Sequence, residues 1–490
     1  MRFNSASLKR MRQIDFYTVD SVASIMKQEE DRGRLKDSSY SDDVKAVLKE
    51  FKDKKKELKE FDSKPNLSIE REMLDKKVHE LARKFNELKE KDHRELVHKI
   101  SNGKFKIKIE TRKENGKDIF FTKGNESMVI SRIISKELAH RYSVKPAERN
   151  AIIEQLIAIL NNPMPKIVIR ADVQHFYESI PQGLLMERLI NDGFTSKRTI
   201  KYLKSFLYYY NSVTKNSIGI PRGLSFSAYL SEIYMTSIDV KVNQMTGIYF
   251  YKRYVDDIII VANPQIKNMA DYWKDLNDIF SDNQLELHNN SPKKYMSLLD
   301  EDSKEEHFEY LGYKFIYDKG HLRVLLSDRR FNKYLITINA LFDVYSRCAS
   351  SRKYKKTKDE KDKRPDALRQ LINRLRVITS NGLLSGRKSF VATGVYYTNK
   401  YLTDLSQLKQ LDCHMQNLIN NKEKFSPPSS LFNYGLDKEY DYYLSLIKEK
   451  LLSFSFETGF NSRKLYKNHK YSDVLCEIQR IFNSYYPLYE

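Results

Sequence analysis

Apolar positions change their period along the chain, and each change predicts an element. From Asp42 to about Lys99 they recur at helical spacing, as Val44, Val47, Leu48 and Phe51 and then as Leu74, Val78, Leu81, Phe85 and Leu88. That rhythm predicts two amphipathic helices broken near Lys64-Pro65-Asn66. The short β-like runs KFKIKIE and IFFTK flank Asn115-Gly116, a dipeptide suited to a tight hairpin turn. Helical segments follow around 126–142 and 147–161. The run PKIVIRAD (165–172) is apolar without alternation and predicts a buried strand ending on an aspartate. The runs GIYFYKRYV and IIIVA bracket Asp256-Asp257, which predicts a hairpin with both carboxylates at its tip. One more hairpin is expected from FEYLGYKFIY (308–317) and HLRVLL (321–326), over Asp318-Lys319-Gly320. Beyond about 330 the pattern is helical to the C-terminus.

Composition narrows what such a chain can be. Its 490 residues are 40% hydrophobic and 12% aromatic, too rich in core-forming side chains for a mostly disordered protein. At roughly 100–200 residues per domain, two to four domains are expected. No run approaches the roughly 18–20 apolar residues of a membrane-spanning helix, and the basic start MRFNSASLKRMRQIDF has no apolar segment behind it. Cys348, Cys413 and Cys476 are too scattered for a disulfide framework or a CxxC metal knuckle. A soluble, cytoplasmic protein with reduced thiols and no membrane partner is the expectation.

Charge adds a partner. With 86 Lys plus Arg against 65 Asp plus Glu, the net charge of +21 favours a polyanion, because basic side chains that displace phosphate counterions gain affinity. The excess is uneven. Residues 41–100 carry 17 basic and 15 acidic residues, so the predicted helix pair is read as a packing element. Residues 346–376 carry 12 basic and 4 acidic residues, predicting a solvated loop and then a basic helix after Pro365. A groove tracking a nucleic-acid backbone and plain solvated surface both fit that segment.

The chemistry centres on Tyr254-Val255-Asp256-Asp257. Two adjacent aspartates in an apolar hairpin are costly to bury unless cations neutralise them. A third, Asp172, ends another apolar strand. Carboxylates gathered from two strands make an oxygen-rich site suited to Mg²⁺. Two such ions about 3.5–4 Å apart activate a hydroxyl and stabilise leaving pyrophosphate. Two acidic surface turns are the bland alternative.

In order, IVIRADVQHFYESI, GIPRGLSFSAYLSEIYM, RYVDDIIIVA, LELHNNSPKKY and FEYLGYKF resemble the palm motifs of reverse transcriptases, all between 165 and 318. The resemblance implies an α+β right-hand polymerase, with a helical N-terminal extension (1–100), fingers and palm (101–325), and an α-helical thumb and C-terminal region (326–490). It implies that Asp172, Asp256 and Asp257 bind two Mg²⁺ ions, with Mn²⁺ able to substitute, and that the Val173 carbonyl adds a ligand. Tyr177 takes the position whose ring rejects a ribose 2′-hydroxyl, core packing being the other reading. Arg222 and Gly223 open the motif that meets the incoming nucleotide. Lys293 or Lys294 takes the place of a lysine that serves pyrophosphate. Lys145 and Arg149 sit where fingers residues grip triphosphate, a basic surface turn being the rival reading. Arg222 stands where the commoner pattern has Gln, and RGLSFSAYLSE is similar instead to bacterial unknown-group and abortive-infection enzymes. The layout resembles defence-associated reverse transcriptases, including the A-type subunit of type 3 systems. That implies antiphage defence, dNTP substrates, a non-coding RNA as template or scaffold, a DNA product, a second reverse-transcriptase subunit and an oligomer. The rivals are a mobile-element reverse transcriptase and a non-catalytic RNA-binding scaffold. No HExxH, Walker loop or nuclease motif points to an added activity.

Overall fold

A computed structural model describes residues 15–31, 40–61, 68–103, 106–114, 116–145, 147–302, 304–350, 364–385, 390–422, 424–425, 437–466 and 471–485. The chain divides into two compact units, 1–148 with 169–294 and 149–168 with 295–490. The break expected at Lys64-Pro65-Asn66 and residues 351–363 of the basic segment fall outside the described residues, while 346–350, expected in a loop, end the helix Asp328–Ser350.

In the first unit, helices α1 (Val19–Asp31), α2 (Asp42–Phe61) and α3 (Ser68–Ser101) precede the hairpin β1 (Ile109–Glu114) and β2 (Lys117–Thr122). The helical spacing has its physical cause in burial, since Val44, Val47, Val78, Leu81, Val97 and Ile100 are all buried while the charged positions face water. In the hairpin, Ile109 pairs with Thr122 and Glu114 with Lys117, and Gly116 takes the positive φ of 71° that the turn needs. Helix α4 (Gly124–Tyr142) follows.

The chain then returns at Ile169, within strand β3 (Lys166–Asp172), and runs through the one-turn helix α5 (Phe176–Ser179) and helices α6 (Gln182–Asn191), α7 (Lys197–Thr214) and α8 (Ser227–Asn243). The hairpin β4 (Ile248–Tyr254) and β5 (Asp257–Ala262) and helix α9 (Met269–Ser281) complete this unit. Ser196 caps α7 by accepting from the Thr199 N–H, and Asn268 does the same for α9 from Asp271. Strands β4, β5 and β3 lie side by side in that order. Six of the seven β3 residues are buried, which is why its sequence is an unbroken apolar run.

In the second unit, strands Glu306–Tyr310, Tyr313–Asp318 and His321–Leu326 form an antiparallel meander. Phe308 and Phe315 are cross-strand partners whose rings stack at 5.0 Å. Helix Asp328–Ser350 packs against helices Arg364–Thr379, Ser406–Asn420 and Tyr471–Tyr485. The expectation of a purely helical C-terminal region needs correction. Asn381–Ser385 and Phe390–Gly394 form a hairpin, and Leu465–Tyr466 adds a parallel edge. Strands of five, five and two residues are too short to show a period of two against the helical rhythm around them. Cys348, Cys413 and Cys476 are free thiols. No helix among the described residues is long and apolar enough to cross a membrane.

Candidate active site

The β4–β5 hairpin closes with Tyr254 opposite Asp257, so Val255 and Asp256 are the two central turn residues. Two-residue hairpin turns demand positive φ at a central position, and Val255 adopts φ 62°. A β-branched residue there costs on the order of 1–3 kcal/mol and persists only when its surroundings hold it. Arg253 does so, donating from Nη1 to the Val255 carbonyl at 2.8 Å. The same guanidinium donates to both Glu232 oxygens at 3.1 and 2.8 Å and to both Asp239 oxygens at 3.0 and 2.9 Å. Glu232 and Asp239 lie two turns apart on α8 and so share a face. Tyr251, two residues along the strand from Arg253, donates to Asp239 Oδ1 at 2.5 Å.

Asp172 reaches this turn from the end of β3. The Val173 N–H donates to the Asp256 carbonyl at 3.2 Å, and the Asp172 carbonyl accepts from the His288 N–H at 2.9 Å. The Asp172 side chain is almost fully buried and accepts from Lys293 Nζ at 2.6 Å, with His288 Nε2 at 3.4 Å. Asp257 accepts from Arg170 at 3.2 and 3.1 Å. Arg170 also donates to the Pro292 carbonyl at 3.1 Å, which ties the loop bearing Lys293 to the aspartates. Burial, and then the charge of Asp172, push the Asp256 carboxyl above the ordinary carboxylate range. Burial also raises Asp257, against the opposing charge of Arg170.

Beside these groups, Arg222 grips Glu178 through two hydrogen bonds of 3.1 and 3.0 Å. Its guanidinium lies 4.9 Å from the centre of the Tyr177 ring. Tyr177 is half-buried, and burial pushes its hydroxyl up. Gly223 has φ 101°, and a Cβ there would stand 2.6 Å from the Phe120 carbonyl oxygen. Its close backbone neighbour is therefore β2, whose Phe120 N–H donates to the Arg222 carbonyl at 2.7 Å. Lys293 and Lys294 diverge, since Lys294 Nζ lies over the Trp273 ring at 3.9 Å.

The fingers candidates have other surroundings. Lys145 is exposed, and no hydrogen bond or ion pair among the described residues joins it to the aspartates. Arg149 belongs to the second unit, where it donates to the Leu311 carbonyl and lies 5.2 Å from the Tyr313 ring centre. Sequence reasoning passed over Arg170, Glu178, Arg253 and His288. Arg253 carried a readable sign, a basic residue at a buried position of a largely apolar and aromatic strand next to the acidic turn.

Among the described residues no group of three His, Cys, Asp or Glu side chains is arranged to hold a metal ion. The donor set nevertheless suits a hard divalent cation. Its oxygens are carboxylates, and burial raises the Asp256 and Asp257 carboxyls, a cost that a bound cation would offset.

Residues 123–315 match the family described as reverse transcriptase (RNA-dependent DNA polymerase). The chain carries a reverse transcriptase domain. That match takes in every carboxylate and lysine of the cluster, and the fold is α+β of the right-hand polymerase class. Among solved structures the chain is similar to telomerase from Candida albicans in complex with a fragment of telomeric RNA, at 11% identity and a TM-score of 0.30. That likeness covers 71% of this chain and 56% of the telomerase chain, too distant to carry an argument. No curated protein matches.

Proposed function

We propose that this protein is an RNA-directed DNA polymerase, adding deoxynucleotides to a DNA 3′ end. The observation that carries the reading is the junction of Asp172 with the Asp256-Asp257 turn, cross-linked by the Val173 N–H and faced by Lys293. Asp172, Asp256 and Asp257, with the Val173 carbonyl, would hold two Mg²⁺ ions. When bound, these ions activate the primer hydroxyl and stabilise leaving pyrophosphate. The chain's own groups then position and neutralise. Arg253 fixes the turn that presents Asp256, and Arg170 fixes the loop that presents Lys293. Lys293, ion-paired to Asp172, is placed to serve pyrophosphate, in preference to Lys294. Tyr177 sits as the sugar gate with its ring held by Arg222. Replacing it with Ala relaxes discrimination against ribonucleotides, and equal discrimination in parent and variant removes that role.

The finer reading is also a proposal. The RGLSFSAYLSE motif supports a defence-associated enzyme of the unknown-group and abortive-infection class, acting in the cytoplasm with a non-coding RNA, a second reverse-transcriptase subunit and an oligomeric assembly. The domain plan 1–100, 101–325 and 326–490 belongs to the same reading. Lys145 and Arg149 are fingers contacts in it, which for Arg149 requires release from Leu311. The test incubates the purified protein and its co-purifying nucleic acid with Mg²⁺ and labelled deoxynucleotides, beside an RNase-treated sample and an Asp256→Ala, Asp257→Ala variant. RNase-sensitive DNA absent from the variant supports the reading. Synthesis that survives RNase points to untemplated extension, and synthesis by the variant overturns the site.

A further inference from the structure

The second unit holds a cavity of about 280 Å³ beyond the segment that matches the reverse transcriptase family. Val377, Ile378, Val395, Leu475, Ile478 and Phe482 make its walls apolar. Two cations, Arg330 and Lys333, also line it, and no acidic side chain among the described residues does.

Among the described residues, the partners of those cations are all neutral. Arg330 donates to the Thr398 carbonyl at 3.4 Å and to Asn399 Oδ1 at 3.0 Å, with its guanidinium 5.1 Å from the Tyr313 ring centre. Lys333 donates to Gln479 Oε1 at 3.4 Å and lies over the Phe482 ring at 4.9 Å. The nearby acids are engaged elsewhere, Asp328 with Lys314 and Glu477 with Arg374. Arg329 adds a third positive charge, one helical turn before Lys333, and like charges at that spacing repel. Burial and the charges of Arg329 and Arg330 together hold the Lys333 ammonium below the ordinary lysine range.

An apolar chamber with positive charge at its edge selects a ligand that is apolar at one end and anionic at the other. The chamber is small for a ligand site. Its volume of about 280 Å³ matches a ligand of about one ring system. The Thr393 and Thr398 residues in its lining favour a ring with polar edges, because a plain hydrocarbon leaves such groups without partners. We propose that this cavity binds a nucleotide unit, its base between the apolar walls and its phosphate at Arg330 and Lys333. The unit is either a free nucleotide or one residue of a strand.

Calorimetric titration of the full chain in EDTA, with AMP, CMP, adenosine and inorganic phosphate as probes, tests this apart from polymerase chemistry. A monophosphate should bind at least about tenfold tighter than either adenosine or phosphate alone. Lys333→Gln, which keeps part of the aliphatic stem and removes the charge, should weaken monophosphate binding at least about tenfold while melting temperature and primer extension hold. The Asp256→Ala, Asp257→Ala variant should bind it as the parent does. A 5′-phosphorylated oligonucleotide that displaces AMP and binds tighter assigns the site to a strand, and one that does not assigns it to the free nucleotide. Absence of monophosphate binding overturns the proposal. So does phosphate binding as tightly as AMP, an undiminished affinity in Lys333→Gln, or a loss confined to the aspartate variant.

Discussion

The β4–β5 hairpin carries acidic groups towards two surroundings, and the chain treats them differently. On the α8 side, Glu232 and Asp239 receive four hydrogen bonds from one buried arginine, Arg253, and Asp239 takes a fifth from Tyr251. On the β3 side, Asp172 is met by Lys293 with His288 alongside, Asp257 is met by Arg170, and no side chain among the described residues donates to Asp256. The first cluster is closed, with every oxygen committed. The second leaves Asp256 without such a donor, and burial, followed by the charge of Asp172, raises its carboxyl. A structural ion-pair network satisfies its charges, whereas a site built to receive a cation leaves some unsatisfied.

The largest effect expected from this contrast is on activity. Asp256→Ala should abolish nucleotide addition, by about 10³-fold or more, since it removes a charge-bearing group from the proposed metal site. Melting temperature should stay within a few degrees of the parent. Primer extension with a labelled deoxynucleotide measures the first and a thermal scan the second. Unfolding of the variant would place Asp256 in the structural class with Asp239.

Arg253→Met should produce the opposite profile. Removing one partner from a buried ionic cluster costs about 3–5 kcal/mol, and here it also releases the Val255 turn. A urea titration should show the midpoint fall, while the residual folded fraction extends primers more slowly at unchanged nucleotide KM. Full stability in the variant would break the comparison at its closed end.

The lysines give a smaller test. Lys293→Ala should lower kcat about 10²-fold if Lys293 serves as the proton donor, and Lys294→Ala should stay within about twofold because that side chain packs on Trp273. The reverse order would move the role to Lys294.

How much of this was legible in the sequence follows from range. The hairpins around Asn115-Gly116 and Asp256-Asp257, and the buried β3 run, were readable because period and turn chemistry are local. The three aspartates were readable because an acid at the end of an apolar run is expensive without a purpose. The pairing of Arg253 with Glu232 and Asp239 was not, because it joins a strand to a helix across 14 and 21 residues. Arg170 to Asp257 spans 87 residues, and no spacing rule reaches that far. The distinction between Lys293 and Lys294 needed the turn geometry that sends one side chain to Asp172 and its neighbour to Trp273. The small C-terminal sheet was lost because its strands are shorter than a helical rhythm takes to lapse.

The smallest effect separates the two surroundings by sign. A carboxyl whose pKa is raised on folding costs nothing while protonated in both states, below the unfolded value of about 3.9. Its cost appears as pH rises through the folded value and is complete at neutral pH. Asp256→Asn should therefore raise the stability of the metal-free protein at pH 7, by less than about 1 kcal/mol given partial exposure to screening solvent. That gain should shrink as pH falls towards 4. Asp239→Asn should lower stability at pH 7, because it strips a partner from Arg253. Urea unfolding in EDTA at pH 4, 5.5 and 7 measures both. A gain for Asp256→Asn that is flat with pH would trace to causes other than charge, and the cost assigned to burying the Asp256 carboxylate would fall with it.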